Sequence, residues 1–473
     1  MLKTKTKYLS LLIFLILFGS ILRLYNINFD DFWYDEMVSF WISDPKINLE
    51  QSLDRIFSSN LMITYELFLK YFHYIWGYDV HISRYFSSLI SILSIILFYL
   101  LLKKNSSKET AIFGVFLLAL NIYHIKYSFE VRAYILTFLL SLILINFIFD
   151  NKKIKNSFKI QDYFLVFILT TFILFSHAFS AIIVFSLLIF LIINILRNNA
   201  DKKKFFNLII VLLISLVLFL FIYLSNISHY PDWIEQIKPN FFTNLYFSKF
   251  FGSRIIGIIF LITFIYLVLK FKNELFKNTD IFMFFLILFL SSYFLPIIFG
   301  YLFKPILVDR YIFFVLIPLL SILSHFILLI KNKITKYILI FVLLVVQIIN
   351  LFDEYTFKQF YTDIYPTKPE IKKILKDINS SDTSIYSIKL KKNNEINYNQ
   401  VRKNYLAKYS EKLNFDLLFF DYYENKNFPK KLWLIYFKDI TEEQFKIPSS
   451  FFDYSIISRN TYNRAEIYLI QKK

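Results

Sequence analysis

The chain has 473 residues, of which 57% are hydrophobic and 21% aromatic, and its formal net charge is +18. Its long uncharged runs exclude an ordinary soluble domain and indicate a polytopic membrane protein with a polar tail. The absence of cysteine excludes disulfides, Cys-ligated zinc and thiol catalysis, and the six scattered glycines exclude the usual nucleotide-phosphate loops. The basic residues lie in loops between apolar runs, a distribution that argues against nucleic-acid binding.

The apolar segments predict an all-α polytopic membrane domain over residues 1–352, with about eleven transmembrane helices of roughly 20 residues each. The first segment has the basic flank and short apolar run of a signal peptide. It lacks a clear small-x-small cleavage site, so we expect a retained anchor. In chain order the segments cover residues 8–24, 83–102, 110–124, 132–149, 163–177, 178–196, 206–224, 255–269, 281–299, 311–330 and 336–352.

Lysine and arginine concentrate in alternate loops, which the positive-inside rule assigns to the cytoplasm. With an odd number of spans, the amino terminus is then cytoplasmic and the carboxyl-terminal tail extracytoplasmic, in a cytoplasmic (inner) membrane. The long first loop and the turns before Arg132 and Arg310 therefore share the outer face. Basic residues of the alternate loops include Lys3, Lys103, Lys152, Lys202, Lys270 and Lys331.

The tail, residues 353–473, reads as a small extracytoplasmic α/β domain without a catalytic motif. The sequence leaves open whether it binds an acceptor, covers a site or contacts a partner. Strands are predicted at Ser384–Ile388, Leu432–Phe437 and Ala465–Ile470, and helices at Asn399–Lys412 and Thr441–Phe445.

Two adjacent acids, Asp35 and Glu36, follow the first helix in Trp33-Tyr34-Asp35-Glu36. Solvated loop acids, or acids favoured by a helix N-terminus, would account for them without any function. Trp33 and Tyr34, however, are residues that anchor loops at headgroup depth. A loop pinned in this way can hold a general base within reach of an acceptor proton.

Two arginines begin later spans, Arg132 in Glu130-Val131-Arg132-Ala133-Tyr134 and Arg310 in Asp309-Arg310-Tyr311. Arginines that snorkel from helix ends, or pair with a neighbouring acid such as Glu130, are common. A guanidinium also suits bidentate binding of phosphate, and Lys126 and His124 add basic groups to the same turn as Arg132. The sequence thus predicts a phosphate site flanked by aromatic rings.

Two further polar residues stand beside apolar sequence. His177 is nearly embedded in it, which makes it a functional candidate, although a hydrogen bond to a neighbouring helix would explain it equally well. Arg84, which begins the second span, is explained by packing and capping at least as well as by substrate binding. The sequence contains no His-x-x-x-His pair, and we predict neither a metal site nor a cofactor.

Together these motifs resemble the GT-C superfamily of integral-membrane glycosyltransferases, in particular bacterial members similar to protein O-mannosyltransferases and the lipid A aminoarabinose transferase. The likeness covers roughly residues 1–350 in order. One departure is Asn60–Tyr65, where many relatives carry prolines. The matching residues are Trp33, Asp35 and Glu36; Trp76, Gly77 and Arg84; His124, Ser128, Glu130, Arg132 and Tyr134; and Pro305, Arg310 and Tyr311.

The resemblance implies a polyprenyl-phosphate-linked sugar donor, an envelope acceptor that is a lipid, a glycan or a protein, and transfer with inversion at the outer face. Asp35, with Glu36, would be the catalytic acid pair. Arginine and lysine could supply the positive charge that a divalent metal would otherwise bring. Donor phosphate would be bound by Arg132, Arg310, Lys126 and His177, and donor or acceptor by Tyr134, Tyr311, Arg84 and Trp33.

Two other functions compete with a transferase. A transporter or flippase for a lipid-linked saccharide would also use many helices and intramembrane charge, but transporters tend to show inverted repeats. The sequence shows no internal repeat. An O-antigen polymerase or ligase would place its key residues in a loop between late spans, whereas here the first loop is the richest in candidates.

Overall fold

The computed structural model describes residues 2–150, 158–197, 202–226, 233–277, 280–351, 368–378, 384–388, 396–413, 417–420, 428–437 and 451–473. The chain forms two compact units. The first unit comprises Met1–Tyr25, Ile47–Leu69 and Tyr85–Phe357. The second comprises Asn26–Lys46, Lys70–Arg84 and Lys358–Lys473, so it combines two stretches of the first loop with the polar tail.

Helices make up nearly all of the first unit, because a backbone in hydrocarbon must satisfy its own hydrogen bonds. Short 3₁₀ helices occur at Ala178–Ser180, Pro239–Thr243 and Asp309–Val315. The described α-helices of the whole chain are α1 (Leu2–Leu24), α2 (Tyr34–Ile42), α3 (Leu49–Ser58), α4 (Ile63–Trp76), α5 (Val80–Asn105), α6 (Lys108–Ala119), α7 (Ile122–Phe129), α8 (Tyr134–Ile148), α9 (Ile160–Leu174), α10 (Ala181–Arg197), α11 (Lys202–Asn226), α12 (Phe247–Phe250), α13 (Arg254–Lys270), α14 (Lys272–Lys277), α15 (Asp280–Leu302), α16 (Leu316–Leu329), α17 (Lys333–Leu351), α18 (Ile371–Asp377) and α19 (Ile396–Leu413).

Each predicted apolar segment overlaps one α-helix or, over residues 110–124, two α-helices, but the lengths do not establish a total of about eleven spans. Among the described residues, six helices are long and apolar enough to cross a membrane, or up to seven if the bent pair α6 and α7 is one span. Shorter apolar helices cover Tyr8–Leu24, Tyr134–Ile148 and Ile160–Leu174. The fold is therefore mostly helical with several candidate spans.

The segment predicted as one helix over residues 110–124 is in fact broken, with a bend of 55° between α6 and α7. Asn121 starts the new helix, because its side-chain oxygen accepts the backbone N–H of His124 at 2.9 Å. Its side-chain amide also donates to the carbonyl of Phe250 at 3.0 Å. Hydropathy alone could not reveal the break, since both halves are equally apolar.

A fully buried arginine, Arg23 of α1, stabilises this break. Its guanidinium donates to the carbonyls of Ala119 at 2.9 Å and Leu118 at 3.4 Å, at the C-terminal end of α6. Helix C-termini leave carbonyls unpaired and carry partial negative charge, so a cation there is favourable. Arg23 further donates to Ser91 and to Nδ1 of His124.

Because arginine can only donate, Nδ1 of His124 must accept, and its ring is therefore neutral with the proton on Nε2. The ring is also fully buried. Contrary to the expectation from the sequence, His124 adds no positive charge to the turn before Arg132; its role is to hold α7 against Arg23.

The described residues of the tail, in the second unit, contain the strands β1 (Ser384–Ile388), β2 (Leu417–Phe420), β3 (Lys431–Phe437), β4 (Tyr454–Tyr462) and β5 (Ala465–Lys472). These strands form one sheet in the order β2-β1-β3-β5-β4. The parallel pair β1 and β2 is connected through α19, and β4 and β5 form an antiparallel hairpin. Leu432, Leu434 and Ile470 are fully buried in the core of the sheet.

The three predicted strands of the tail and the helix predicted at Asn399–Lys412 are confirmed. The sequence pattern missed β2, β4 and the helix α18. The helix predicted at Thr441–Phe445 lies outside the described residues.

We predict that Arg23→Met lowers the free energy of unfolding by about 3 kcal/mol, because it removes the guanidinium that donates to buried carbonyls at the end of α6 and to His124. The measurement is thermal unfolding of the purified protein in detergent. Arg254→Met is the matched control, since Arg254 is exposed at the start of α13. Equal melting temperatures for the two variants would contradict the assignment.

Candidate active site

The two candidate catalytic acids lie in the first turn of α2, where a helix N-terminus favours negative charge. Trp33 is the N-cap residue, and its backbone N–H donates to Oε2 of Glu36 at 2.9 Å. Asp35 is exposed, whereas Glu36 is only 1% exposed. The pair therefore consists of one acid at the surface and one acid inside the second unit.

Glu36 belongs to a cluster of six charged residues that the second unit draws from loop and tail. Lys368 Nζ lies 2.9 Å from Oε2 of Glu36 and 3.1 Å from Oδ2 of Asp30. Each of these three side chains is buried. We call Asp30, Asp31, Glu36, Arg84, Lys368 and Lys372 the charge cluster.

Arg84 holds the loop from the other side of Asp30, with Nη1 2.6 Å from Oδ1 of that carboxylate. The guanidinium also donates to the carbonyls of Ile27 at 2.9 Å and Asp31 at 3.2 Å. It is fully buried, with its Cζ 5.0 Å from the ring centroid of Phe32. These contacts show that Arg84 holds the loop in place. The contact between Arg84 and substrate that the sequence predicted stays a prediction.

The neighbouring acids of the cluster differ in acidity. Burial would raise the pKa of Asp30, but the charges of Arg84 and Lys368 outweigh it and the pKa is lowered overall. Burial raises the pKa of Asp31, and Lys372 opposes this only in part. Burial also lowers the pKa of Lys372 to about 8, against the attraction of Asp31. Asp30 thus holds its negative charge more firmly than Asp31 does.

Trp33 and the residues before it are covered by the tail. The guanidinium of Arg464, in the turn between β4 and β5, lies 4.4 Å from the ring centroid of Trp33. The hydroxyl of Tyr405 on α19 accepts the backbone N–H of Phe32 at 3.1 Å and donates to Asp31 at 3.3 Å. Trp33, which the sequence predicted to anchor the loop at headgroup depth, therefore contacts the tail.

In the first unit, five of the predicted residues come together in what we call the arginine–aromatic cluster: Arg132, Tyr134, His177, Arg310 and Tyr311. The ring of His177 lies 5.4 Å from that of Tyr134 and 5.1 Å from that of Tyr311, between centroids. The charges of Arg132 and Arg310 both act on this ring. All but Tyr134 are partly exposed, so the cluster can meet a ligand.

Arg310 is held over aromatic faces, with Cζ 5.2 Å from the ring centroid of Trp233 and 5.6 Å from that of Tyr311. Stacking of this kind fixes the plane of a guanidinium while leaving its edge able to donate. A phosphate oxygen is a suitable acceptor for that edge.

Asp309, which precedes Arg310, is held in place by contacts with two other helices. Asp309 accepts a hydrogen bond from the buried hydroxyl of Tyr123 at 2.9 Å and lies 3.5 Å from Nζ of Lys249. Tyr123 belongs to α7, so the break stabilised by Arg23 also supports the start of the Arg310 segment. Lys126, on the same helix, is exposed, and its Nζ lies 5.7 Å from the ring centroid of Tyr127.

Sequence motifs thus located both groups of residues but missed most of the charge cluster. In the sequence, Asp30 and Asp31 form a second acid pair just before Asp35, and Lys368 and Lys372 are four positions apart. Neither signal indicates which charges pair. Among the residues that the structure describes, no group of three or more His, Cys, Asp or Glu could hold a metal ion.

No protein-family model and no curated protein matches the sequence. Solved structures do match. ArnT from Cupriavidus metallidurans gives a TM-score of 0.57 in the apo state and 0.54 bound to undecaprenyl phosphate, at 8% and 9% identity, and covers 98% of both chains in each case. The likeness shows that the chain has the GT-C fold that its motifs resemble.

An archaeal structure is also similar. The oligosaccharyltransferase AglB from Archaeoglobus fulgidus, in complex with an inhibitory peptide and a dolichol-phosphate, gives a TM-score of 0.50 at 10% identity over 82% of this chain. The chain spans 60% to 70% of the length of the oligosaccharyltransferase chains from that organism.

We predict that the stability of Lys372→Met, relative to the native protein, falls as the pH rises from about 8 to about 10. Folded Lys372 loses its proton near pH 8, whereas the unfolded chain keeps it to about 10.5. The unfolded state therefore binds more protons in this window, and the native protein gains stability with pH that the variant lacks.

Melting temperatures measured across this pH window test the prediction. Lys376→Met is the control, because Lys376 is exposed on the same helix, α18. A constant offset for both variants would refute it.

Proposed function

We propose that the protein is a glycosyltransferase that moves a sugar from a polyprenyl-phosphate-linked donor to an envelope acceptor. One observation carries the proposal: the arginine–aromatic cluster occurs in a chain whose fold matches, over 98% of both chains, a protein bound to undecaprenyl phosphate. The guanidinium of Arg310, stacked on two rings, and the nearby His177 and Arg132 suit the phosphate of such a lipid.

In this proposal Asp35 is the general base. Its carboxylate, exposed in the first turn of α2, takes the proton of the acceptor hydroxyl or amine as that group attacks the anomeric carbon. Attack from the face opposite the lipid phosphate inverts the configuration. A positioned base of this kind contributes about two to four orders of magnitude in rate. We assign Glu36 no proton transfer, because it is buried and paired with Lys368.

The bond from the anomeric carbon to the donor oxygen breaks as the new bond forms, and negative charge develops on the departing lipid phosphate. Arg132 and Arg310 neutralise this charge, with His177 and Lys126 as further donors. Preorganised cations of this kind act where charge develops in the transition state. The proposal needs no metal, since the arginines supply the positive charge.

The setting of the reaction follows from the basic loops. They favour an inner-membrane protein with a cytoplasmic amino terminus and an extracytoplasmic tail. Nucleotide sugars are cytoplasmic, so a transferase on the outer face requires a lipid-linked donor. The acceptor is a lipid, glycan or protein of the envelope.

We predict that Asp35→Asn lowers sugar transfer by about a hundredfold or more, while binding of undecaprenyl phosphate is unchanged. Mass spectrometry of envelope glycans and lipids from cells lacking the protein first identifies the missing sugar substituent. The same cells complemented with Asp35→Asn then report the transfer, and Asp54→Asn, an exposed acid of the same loop, is the control. Normal delivery of the sugar by Asp35→Asn would favour a transporter or flippase.

We predict that Arg310→Met weakens binding of undecaprenyl phosphate about tenfold or more, because a hydrogen bond to a charged group contributes roughly 1.5–3 kcal/mol. The probe is undecaprenyl phosphate titrated into the purified protein in detergent. Arg254→Met removes an exposed arginine and should bind as the native protein does. Equal affinities for the two variants would remove Arg310 from the phosphate site.

A further inference from the structure

Lys368 is a cation of the tail that is buried among acids of the first loop. Its side chain is 5% exposed, and its Nζ contacts Glu36 at 2.9 Å and Asp30 at 3.1 Å. Glu36 directly follows Asp35 in the first turn of α2. Through its contact with Glu36, Lys368 therefore connects the tail to the helical turn that carries Asp35, the proposed base.

The charges around this contact balance. Asp30 and Glu36 are two buried acids, and Arg84 and Lys368 are two buried cations. A buried charge that loses its partner is strongly destabilising, whereas removing both partners of a pair is often nearly neutral. The two cations share Asp30, and each also has partners of its own: Arg84 binds loop carbonyls, and Lys368 binds Glu36.

The backbone that carries Lys368 is itself fixed. Asn463, in the turn between β4 and β5, donates through its side chain to the carbonyl of Lys368 at 2.7 Å. Its backbone N–H donates to Glu370 at 2.8 Å. The neighbouring Arg464 covers Trp33, the N-cap residue of α2. The position of Lys368 is thus set by the sheet of the tail.

We propose that Lys368 is a positioning residue, through which the tail fixes Glu36 and thereby the orientation of Asp35. This inference rests on the proposed function, because it takes Asp35 as the base. Glu36 accepts hydrogen bonds from both the N–H of Trp33 and the ammonium of Lys368, and these contacts together orient the first turn of α2. The tail is then part of the catalytic machinery and not an appendage.

Four variants separate positioning from simple stability. Lys368→Met removes the cation, Lys368→Arg keeps it, Lys368→Met with Glu36→Gln removes both buried charges, and Lys376→Met is the exposed control. Each is measured by thermal unfolding, by titration with undecaprenyl phosphate in detergent, and by complementation of cells lacking the protein. The last assay reports the sugar substituent by mass spectrometry.

We expect Lys368→Met to lower both the melting temperature and transfer, and Lys368→Arg to restore most of each. In the double variant the melting temperature recovers, because no buried charge is left alone, while transfer stays about tenfold to a hundredfold low, as displacement of a reacting group by about 1 Å predicts. Binding of undecaprenyl phosphate and the behaviour of Lys376→Met should match the native protein.

Two results would overturn the inference: native transfer by Lys368→Met, or transfer that simply follows the melting temperature across all the variants. Asp35→Asn, measured in parallel, keeps this failure separate from failure of the proposed function. If Asp35→Asn abolishes transfer and Lys368→Met does not, only the positioning role fails. If Asp35→Asn transfers normally, the assignment of the base fails with it.

Discussion

The second unit depends on the pairing of buried charge. Asp30 and Glu36 cannot leave water as ions unless cations accompany them, and Arg84 and Lys368 are those cations. Arg84 lies in the first turns of α5 and Lys368 in the tail, so burial of the loop acids requires the tail to fold with them. The loop that carries Asp35 therefore has its structure only as part of this unit.

In the first unit a buried charge is paired with backbone carbonyl dipoles instead of with charged side chains. Arg23 is fully buried, and carbonyls at the end of α6 accept its hydrogen bonds, together with a neutral histidine. A helix that stops within the apolar region needs such a donor, because its last carbonyls have no intrahelical partner. The break then lets α7 contact Asp309 through Tyr123, next to Arg310. A residue of the first helix thus supports the proposed phosphate site.

Local pattern predicted the long apolar helices, three strands and the two groups of candidate residues, since hydropathy and period are properties of neighbouring residues. It did not predict the shorter helices α2, α3, α4 and α18. The contacts that organise the groups are not local. Glu36 and Lys368 are 332 positions apart, and Tyr405 and Asp31 are 374 apart. No spacing rule joins such residues. Asparagine is a residue type that N-caps favour, so Asn121 is a local signal for the break in the helix, whereas the contact of Arg23 with the end of α6 has no local signal.

The neighbouring acids Asp35 and Glu36 show why a motif does not fix roles. Successive residues of a helix point about 100° apart, so two adjacent acids cannot both face the same substrate. The structure gives Asp35 the exposed direction and Glu36 the buried one. A base must be both reachable and fixed, and a single side chain on a short surface helix seldom satisfies both demands. In the proposed function the two demands are divided between two acids of one helical turn: Asp35 takes the proton, and Glu36 forms the salt bridge with Lys368.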